Sequence, residues 1–468
     1  MPADDPEGAS DDDGDPRPRV LALLRRHGYN ATSFQSLEPG FQYWFAGGGS
    51  GAADACVAYV DTGRAWVAAG APLSAETHLR DAAAGFVAAA RKAGRRVAFF
   101  AAEGRLTEAT GWPSVVIGEQ PVWNPQLWND GVRANRSLRA QVGRAHNKGV
   151  RARAVPAAEI ARPAAPVRIA AERLIRRWLL SRKMAPLGFL VDVQPFKFPE
   201  ERRYFVAEQD DRVVGFLVAV PVYTRGGWFF EDLLRDQQAP NGSAELLIDA
   251  AMQRAAADGA TYVTLGLAPL AGRIPGWLAG VRRLSAPLYN FAGLHAFKAK
   301  LRPHRWDPVH LVWSPGGHLA RALADALTAF ARGSIITFGL QTLLRGPILV
   351  LWVLALALVP WTALLAIADQ RQWFPAPWVR GAWIGFDAAL FVALVVLARR
   401  FRRGLGRALT GAVIVDAVLT WLEAAVWNGP RIHGATDAFV VALACLAPTL
   451  AAVVLWGATR RAGLLDRL

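Results

Sequence analysis

Cysteine and nucleotide-binding motifs are nearly absent from this 468-residue sequence. The two cysteines, Cys56 and Cys445, lie far apart and outside any CxxC or histidine-rich motif, which argues against a disulfide scaffold and a structural zinc site. Neither a GxxxxGKS/T loop nor a GxGxxG loop after a predicted strand is present. We therefore expect no metal ion and no nucleotide cofactor. The scarcity of cysteine fits a reducing compartment.

The first 19 positions offer almost no apolar residues to bury. They read MPADDPEGASDDDGDPRPR, which is acidic and rich in Gly and Pro, and this composition predicts a disordered tail. The segment also lacks the basic start and apolar core of a secretory signal peptide. We therefore expect that the first folded region is not exported.

Basic residues outnumber acidic ones, giving a formal net charge of +15 and a sequence pI near 10.6. Anionic partners are therefore expected, either lipid head groups or nucleic acid. No acid occurs from Val132 to Val155, where six of the basic residues are spaced as in a helix held against the body by Leu138, Val142 and Ala145. The pattern predicts a phosphate-binding surface, and the alternative is an ordinary solvated helix face. The six residues are Arg133, Arg136, Arg139, Arg144, Lys148 and Arg151.

Four long apolar stretches follow Arg345, at about 347–367, 381–398, 408–427 and 437–457. Each is close to the ~20 residues that span the hydrocarbon layer as a helix, so we predict four membrane helices rather than buried helices of a soluble domain. The link ARRFRRGLGR and the final RRAGLLDRL are richer in arginine than the other two links. By the positive-inside rule, both termini are predicted to be cytoplasmic.

Residues 20–330 alternate short apolar strands with amphipathic helices, which predicts an α/β or α+β sheet domain built from two similar units. One stretch, APNGSAELLI (239–248), joins a predicted strand to a helix. Asn241 and Gly242 are expected to form a turn, Ser243 to cap the helix, and Glu245 to lie in its first turn. Such a strand-turn-helix arrangement can also bind an anion, and a carboxylate beside it can orient an amine or accept a proton.

Three segments resemble the catalytic region of the aminoacyl-phosphatidylglycerol synthases, the lysyl- or alanyl-phosphatidylglycerol synthases of bacterial peptide resistance. The resemblance covers roughly residues 20–315. It implies tandem acetyltransferase-like (GNAT) folds joined by a basic helix, and transfer of an amino acid from aminoacyl-tRNA to the glycerol hydroxyl of an anionic phospholipid. The segments are APNGSAELLIDAAMQRAAADGATYVTLGLAPLAG, LYNFAGLHAFKAKLRPHRWDPVHLVW and QLWNDGVRANRSLRAQVGRAHNKGVRAR.

The resemblance also assigns expected roles to individual residues. Glu245 is expected to engage the aminoacyl group, and Lys298 and Arg302 the lipid phosphate or the acceptor end of the tRNA. His295 could assist proton transfer, although an isolated histidine more often satisfies a local hydrogen bond. For the other residues expected at the site, the alternative roles are packing, turn formation and surface charge. The expected substrate-binding residues are Asn241, Gly242, Ser243, Tyr289, Asn290 and His295, and the six basic residues above are expected to bind tRNA.

The predicted fold class is therefore α/β (α+β), with tandem GNAT-like domains followed by an all-α transmembrane bundle of about four helices. The best-known relatives carry a large membrane flippase domain before the catalytic region, whereas here the predicted spans follow it, which favours anchoring in the inner membrane over flipping. An acyl-CoA N-acyltransferase and a non-catalytic RNA- or lipid-binding module remain alternatives. The predicted segments are a tail (1–19), a first GNAT-like domain (20–130), a basic linking helix and strand (131–155), a second, catalytic GNAT-like domain (156–330) and the transmembrane domain (345–460).

Overall fold

The computed structural model describes residues 15–47, 54–181, 188–191, 193–285, 290–331, 347–368, 373–399 and 402–465. The chain divides into two units. The first unit comprises Met1–Leu174, Gly188–Arg283 and Phe291–Gly333, and the second comprises Ile175–Leu187, Leu284–Asn290 and Ser334–Leu468.

Among the described residues, twelve strands form one sheet in the first unit, in the order β1-β2-β3-β4-β12-β5-β10-β9-β8-β7-β6, with β11 paired to β5 outside this path. The strands are β1 (Gln42–Phe45), β2 (Cys56–Asp61), β3 (Ala65–Ala69), β4 (Arg96–Glu103), β5 (Ser114–Trp123), β6 (Arg151–Val155), β7 (Arg203–Gln209), β8 (Arg212–Val222), β9 (Gly227–Arg235), β10 (Tyr262–Thr264), β11 (Ala268–Pro269) and β12 (Arg305–Trp313).

Helices cover both halves of this sheet. The helices up to residue 330 are α1 (Arg17–His27), α2 (Leu79–Lys92), α3 (Gly104–Thr110), α4 (Trp128–Ala134), α5 (Arg136–Asn147), α6 (Ala157–Ala161), α7 (Pro166–Ser181), α8 (Ser243–Ala257), α9 (Gly276–Ser285), α10 (Phe291–Lys300) and α11 (Leu319–Phe330). Helix α1 begins at Arg17, inside the segment predicted to be a tail, because Val20, Leu23 and Leu24 of this helix are buried.

Two antiparallel hairpins are formed by consecutive strands of the sheet. Strands β7 and β8 pair antiparallel around Asp210 and Asp211, whose φ angles of 49° and 58° belong to the left-handed region that a two-residue hairpin turn requires. Strands β2 and β3 pair in the same way around the Asp-Thr-Gly turn. The Asp210–Asp211 turn agrees with the right-handed twist of the strands, which is why the local sequence specifies it.

Each half of the sheet is built around one parallel crossover. Strand β3 is joined to β4 through α2, and β9 is joined to β10 through α8. The next strand of each half then pairs with the other half, because β12 lies between β4 and β5 while β5 lies between β12 and β10. The two halves therefore exchange their last strands and share one continuous sheet.

The two parallel pairs end differently. In the first half, the 3-10 helix Ala31–Leu37 covers the ends of β3 and β4, where Asn30 Nδ2 donates to the Ala101 carbonyl at 3.4 Å and the Ala31 N–H donates to Glu103 Oε1 at 3.1 Å. In the second half, β10 pairs with β9 over only three residues, so that β9 continues from Phe230 to Arg235 beyond this pairing. The opening between β9 and β10 lies at the start of α8.

In the described part of the second unit, four C-terminal helices are present, Pro347–Ile367, Pro377–Arg399, Arg403–Glu423 and Ala435–Leu465. Among the described residues, three stretches are long and apolar enough to cross a membrane, namely Pro377–Arg399, Gly404–Arg431 and Ala435–Gly457. The first of the four helices carries a shorter apolar stretch, Leu351–Ile367. The prediction of an apolar helical region is thus confirmed, and its number of four spans is approximate.

Two left-handed glycines at the ends of α8 provide a test of how this helix packs against α5. Gly242 (φ +98°) faces α5, where a Cβ would lie 2.0 Å from the Gln141 carbonyl oxygen, whereas no described atom lies within 4 Å of the corresponding position at Gly259 (φ +78°). We expect Gly242→Ala to lower the free energy of unfolding by about 3 kcal/mol, because left-handed strain of about 1–2 kcal/mol adds to the clash with Gln141. Gly259→Ala carries the strain alone. Thermal unfolding of the purified full chain measures the difference, and equal losses in both variants would contradict this packing.

Candidate active site

The start of α8 is held tightly against α5. Gly242 is the residue before the helix, and Ser243, which is fully buried, donates its hydroxyl to the Pro240 carbonyl at 2.7 Å. The prediction that the Ser243 side chain caps the helix is therefore wrong, because its hydroxyl proton closes the preceding turn and the side chain makes no capping bond to a helical N–H. Asn241 is exposed, and its Oδ1 accepts a hydrogen bond from Arg235 Nη1 at 3.4 Å.

Glu245 lies in the first turn of α8, as the sequence predicts, and only 7% of the residue is exposed. Its Oε1 accepts a hydrogen bond from Lys300 Nζ at 2.8 Å. The Lys300 side chain is 31% exposed, so the pair lies at the boundary between core and solvent. Lys300 is not among the site residues predicted from the sequence. It is the second lysine of FKAK, and two residues on a helix rotate a side chain by about 200°, so only the structure distinguishes it from Lys298.

Lys298 is buried, and its ammonium is fully engaged within the fold. Nζ donates to the carbonyls of Leu265, Gly266 and Leu267 at 2.8, 2.8 and 2.9 Å. These carbonyls follow β10 at the point where this strand leaves β9 and loses its parallel partner. Burial lowers the pKa of Lys298 to about 7, and the three carbonyl oxygens stabilise the ammonium form because they match its three N–H donors. Lys298 therefore holds residues 265–267 in place beside the opening between β9 and β10.

The other residues expected at the site lie around α10. Arg302 follows the helix, is exposed and adopts a left-handed conformation with φ 48°. Asn290 is exposed and directly precedes Phe291, the first residue of α10. Tyr289 lies outside the described residues.

His295 has a carboxylate partner that the sequence analysis missed. Its Nε2 lies 3.0 Å from Oε1 of Glu119, and its ring contacts the Trp306 ring at a centroid distance of 4.7 Å. Glu119 stands on β5, 176 positions earlier in the chain, so no local pattern could join the two residues. Only the antiparallel pairing of β5 with β11 and β12 brings Glu119 to α10.

The basic segment is a surface of two helices and a strand rather than one helix. Asn135 ends α4 and caps α5, because its Oδ1 accepts from the Leu138 N–H at 3.2 Å. Its Nδ2 also donates to the Lys300 carbonyl at 3.0 Å, which ties α5 to the end of α10. Leu138 and Ala145 are buried, as predicted. Arg133 lies on α4, Arg136, Arg139 and Arg144 on α5, Lys148 just after α5, and Arg151 on β6.

Five of these cations form an exposed surface, which we call the basic surface: Arg136, Arg139, Arg144, Lys148 and Arg151. Arg133 is paired with Asp130 at 3.4 Å. In the part of the chain that the structure describes, none of the five forms an ion pair with an acid. Unpaired surface cations of this kind are suited to contacts with a phosphate backbone.

Two alternative chemistries fit the geometry poorly. Burial raises the pKa of the Cys56 thiol to about 12, so this residue is unsuited to act as a thiolate nucleophile. An acyl-CoA pyrophosphate needs free N–H groups at a helix N-terminus. Here the Gln141 carbonyl lies against Gly242, and the Glu245 carboxylate occupies the first turn. The carbonyl oxygen, with its partial negative charge, and the carboxylate therefore stand at the helix start where a pyrophosphate would need free N–H groups. Among the described residues, no group of three or more His, Cys, Asp or Glu is arranged to hold a metal ion.

Comparisons with known proteins agree with this arrangement. The family model described as phosphatidylglycerol lysyltransferase, C-terminal, matches residues 21–312. A C-terminal domain of a putative lysylphosphatidylglycerol synthetase from Agrobacterium fabrum is 23% identical, with a TM-score of 0.56 over 68% of this chain and 98% of that chain. L-PGS from Bacillus licheniformis is 21% identical, with a TM-score of 0.57 over 68% and 97%. No curated protein sequence matches the chain. The likeness of the solved structures establishes the fold, and the predicted class of tandem GNAT-like halves followed by apolar helices is confirmed.

The role of Lys298 in the fold can be tested by stability. Lys298→Met would leave three buried carbonyls without a donor, so we expect a loss of roughly 3 kcal/mol in the free energy of unfolding. Lys92→Met, an exposed lysine at the end of α2, should change it by less than about 0.5 kcal/mol. Thermal unfolding of the purified variants gives both values. A Lys298→Met protein as stable as the control would contradict the structural role.

Proposed function

Because this chain belongs to the family described as phosphatidylglycerol lysyltransferase, C-terminal, we propose that it transfers an amino acid, lysyl or alanyl, from aminoacyl-tRNA to the glycerol hydroxyl of phosphatidylglycerol or a related anionic lipid. The observation that carries the proposal is the family match over 21–312, which contains the Glu245–Lys300 pair, Lys298 and the basic surface. The product would carry more positive charge than its precursor, which would reduce binding of cationic antimicrobial peptides.

The reaction requires little covalent chemistry from the protein. An aminoacyl ester is already activated, so the protein has to hold the lipid hydroxyl near the ester carbonyl, remove one proton and stabilise the developing oxyanion. Neither a covalent nucleophile nor a cofactor is needed for this exchange of one ester for another. The site offers a buried carboxylate, a half-buried ammonium and a histidine, which are the group types that these steps use.

In this proposal Glu245 binds the α-ammonium of the aminoacyl group. Its carboxylate already accepts a hydrogen bond at Oε1 from one ammonium, that of Lys300. An entering substrate ammonium would bind the second oxygen, so that the two ammonium groups share the carboxylate. Lys300 is partly exposed, so its Nζ is placed to stabilise the ester carbonyl oxygen or a lipid phosphate next to Glu245. Lys298 and its three carbonyl acceptors keep the adjoining wall in place.

The basic surface would bind the RNA part of the donor. It adjoins the site through Asn135, which caps α5 and bonds to the Lys300 carbonyl. Contacts of Arg and Lys with phosphates position an RNA without reading its sequence, so selection of the amino acid would fall to the site itself.

The apolar helices would hold the site at the lipid surface. Three candidate spans associate the chain with a membrane. If the shorter apolar stretch Leu351–Ile367 crosses as a fourth span, both termini lie on the same side. The arginine-rich link between the second and third helices then favours a multi-pass protein of the inner membrane with its catalytic region and both termini in the cytoplasm. Aminoacyl-tRNA and the anionic lipid would then meet on the same side.

The direct test uses the purified full chain in detergent with liposomes. tRNA loaded with radiolabelled lysine or alanine is added to vesicles of phosphatidylglycerol or of phosphatidylcholine, and lipid extracts are analysed by thin-layer chromatography and mass spectrometry. We expect a ninhydrin-positive lipid from phosphatidylglycerol. If every lipid stays unmodified and the ester decays at its spontaneous rate, a non-catalytic RNA- or lipid-binding module is the better explanation.

The Glu245–Lys300 pair gives a site-specific prediction. Glu245→Gln and Lys300→Met should each lower kcat/KM for the aminoacyl donor by roughly 10²-fold, because each removes a charge that contacts the reacting group. Glu108→Gln, an exposed acid on α3, is the matched control and should keep full activity. We expect both site variants to retain their affinity for tRNA, which filter binding measures. Activity of Glu245→Gln within twofold of the wild type would refute the assigned role.

The basic surface gives a second prediction. Arg136→Ala combined with Arg144→Ala should weaken tRNA binding and lower the slope of log Kd against log salt concentration by about one per arginine. Arg153→Ala on β6 is the control, because Arg153 is already paired with Glu208 at 2.8 and 2.9 Å. An unchanged salt slope in the double variant would exclude this surface as the RNA-binding site.

A further inference from the structure

The contact between His295 and Glu119 has the geometry of a histidine oriented by a carboxylate. The Nε2–Oε1 distance is 3.0 Å, and the exposed fractions of the side chains are 36% for His295 and 19% for Glu119. The histidine thus reaches solvent while the carboxylate behind it is mostly covered. A carboxylate only accepts hydrogen bonds, so the shared proton belongs to Nε2 of the imidazole.

Glu119 lies on a strand that is paired on both sides. It lies on β5 opposite Pro308 of β12 on one side and Ala268 of β11 on the other. The chain then passes over its carboxylate at Gly272 (φ +72°), where a Cβ would lie 2.0 Å from Glu119 Oε2. Only glycine allows both this backbone conformation and this approach. The carboxylate therefore lies against the Gly272 backbone, and the Glu119 side chain is 19% exposed.

The other nitrogen of the imidazole is available for chemistry. The Trp306 ring packs against the imidazole at 4.7 Å and restricts its rotation. Within the described residues, Nδ1 of His295 takes part in no hydrogen bond. Because the Nε2 proton is committed to Glu119, Nδ1 carries the lone pair and can accept a proton.

His295 stands on the same helix as Lys298 and Lys300. It precedes Lys298 by three positions on α10, which is one helical turn and the same face, and Lys300 by five positions, about 7.5 Å along the helix axis and about 140° around it. Lys298 binds the carbonyls of 265–267, and the following residue, Ala268, pairs with Glu119. The same short segment therefore connects the Lys298 anchor to the partner of His295.

We infer that His295 is the general base of the aminoacyl transfer and that Glu119 is its positioning residue. The inference rests on the proposed function. His295 Nδ1 takes the proton of the lipid hydroxyl as the hydroxyl oxygen attacks the ester carbonyl and forms the new C–O bond. The tetrahedral intermediate collapses by breaking the C–O bond to the ribose, and the same proton passes from Nδ1 to the ribose oxygen. One ester replaces another, and the imidazole is regenerated.

The experiment compares His295→Ala and Glu119→Gln with the full-length wild type, using phosphatidylglycerol vesicles and loaded tRNA. For His295→Ala we expect kcat to fall by about 10²–10⁴-fold while KM for the lipid changes less than threefold, because the base acts in the chemical step. Added imidazole should raise the rate of His295→Ala at least tenfold, which a purely structural role would not allow. His318→Ala, an exposed histidine before α11, is the matched control.

Glu119→Gln keeps the size of the side chain and loses its charge. We expect kcat to fall by at least about tenfold with KM for the lipid unchanged, and no rescue by imidazole, because the histidine is still present but poorly oriented. Full activity of His295→Ala, or a loss that imidazole does not restore in a protein that melts like the wild type, would overturn the inference. A wild-type protein that modifies no lipid would instead refute the proposed function, so the two failures are distinguishable.

Discussion

The separation of β10 from β9 is the constraint on which the site depends. A strand that leaves its partner exposes carbonyls that water or a side chain has to satisfy, and buried carbonyls without a donor are costly. Lys298 satisfies three consecutive carbonyls with a single ammonium at the point where the strands separate. The lysine comes from α10, and α10 also carries His295 and Lys300. One helix therefore maintains the opening and supplies side chains to it.

The exchange of β5 and β12 makes the two halves interdependent. Neither half completes its sheet with its own last strand, and the buried pair between Arg225 and Glu103, at 2.6 Å, joins the second half to the first. Arg225 also lies over the rings of Tyr29 and Tyr262 at 3.9 and 4.6 Å. The first half has its own parallel crossover, but the 3-10 helix Ala31–Leu37 covers the end of that crossover. The first half therefore contributes by stabilising the second half through the strands that the two halves share.

Local features could be predicted from the sequence, and distant pairings could not. The Asp210–Asp211 hairpin, the position of Glu245 in the first turn of α8 and the apolar C-terminal helices follow from turn chemistry, helix signals and hydropathy. The strand exchange depends on register between segments almost 200 residues apart, which periodicity does not encode. For the same reason, the sequence does not identify Glu119 as the partner of His295. Lys298 and Lys300 are chemically identical and two positions apart, and only tertiary packing makes one an anchor and the other a partner of Glu245.

The exchanged strand also fixes an order of events during synthesis. Strand β12 lies between β4 and β5 but ends at Trp313, so the central sheet stays incomplete until more than three hundred residues have been made. The edges of β4 and β5 remain unpaired throughout that time, and unpaired edges are prone to association with other chains. The first C-terminal helix begins at Pro347, only 34 positions later. Little further synthesis therefore separates completion of the central sheet from the appearance of the apolar helices.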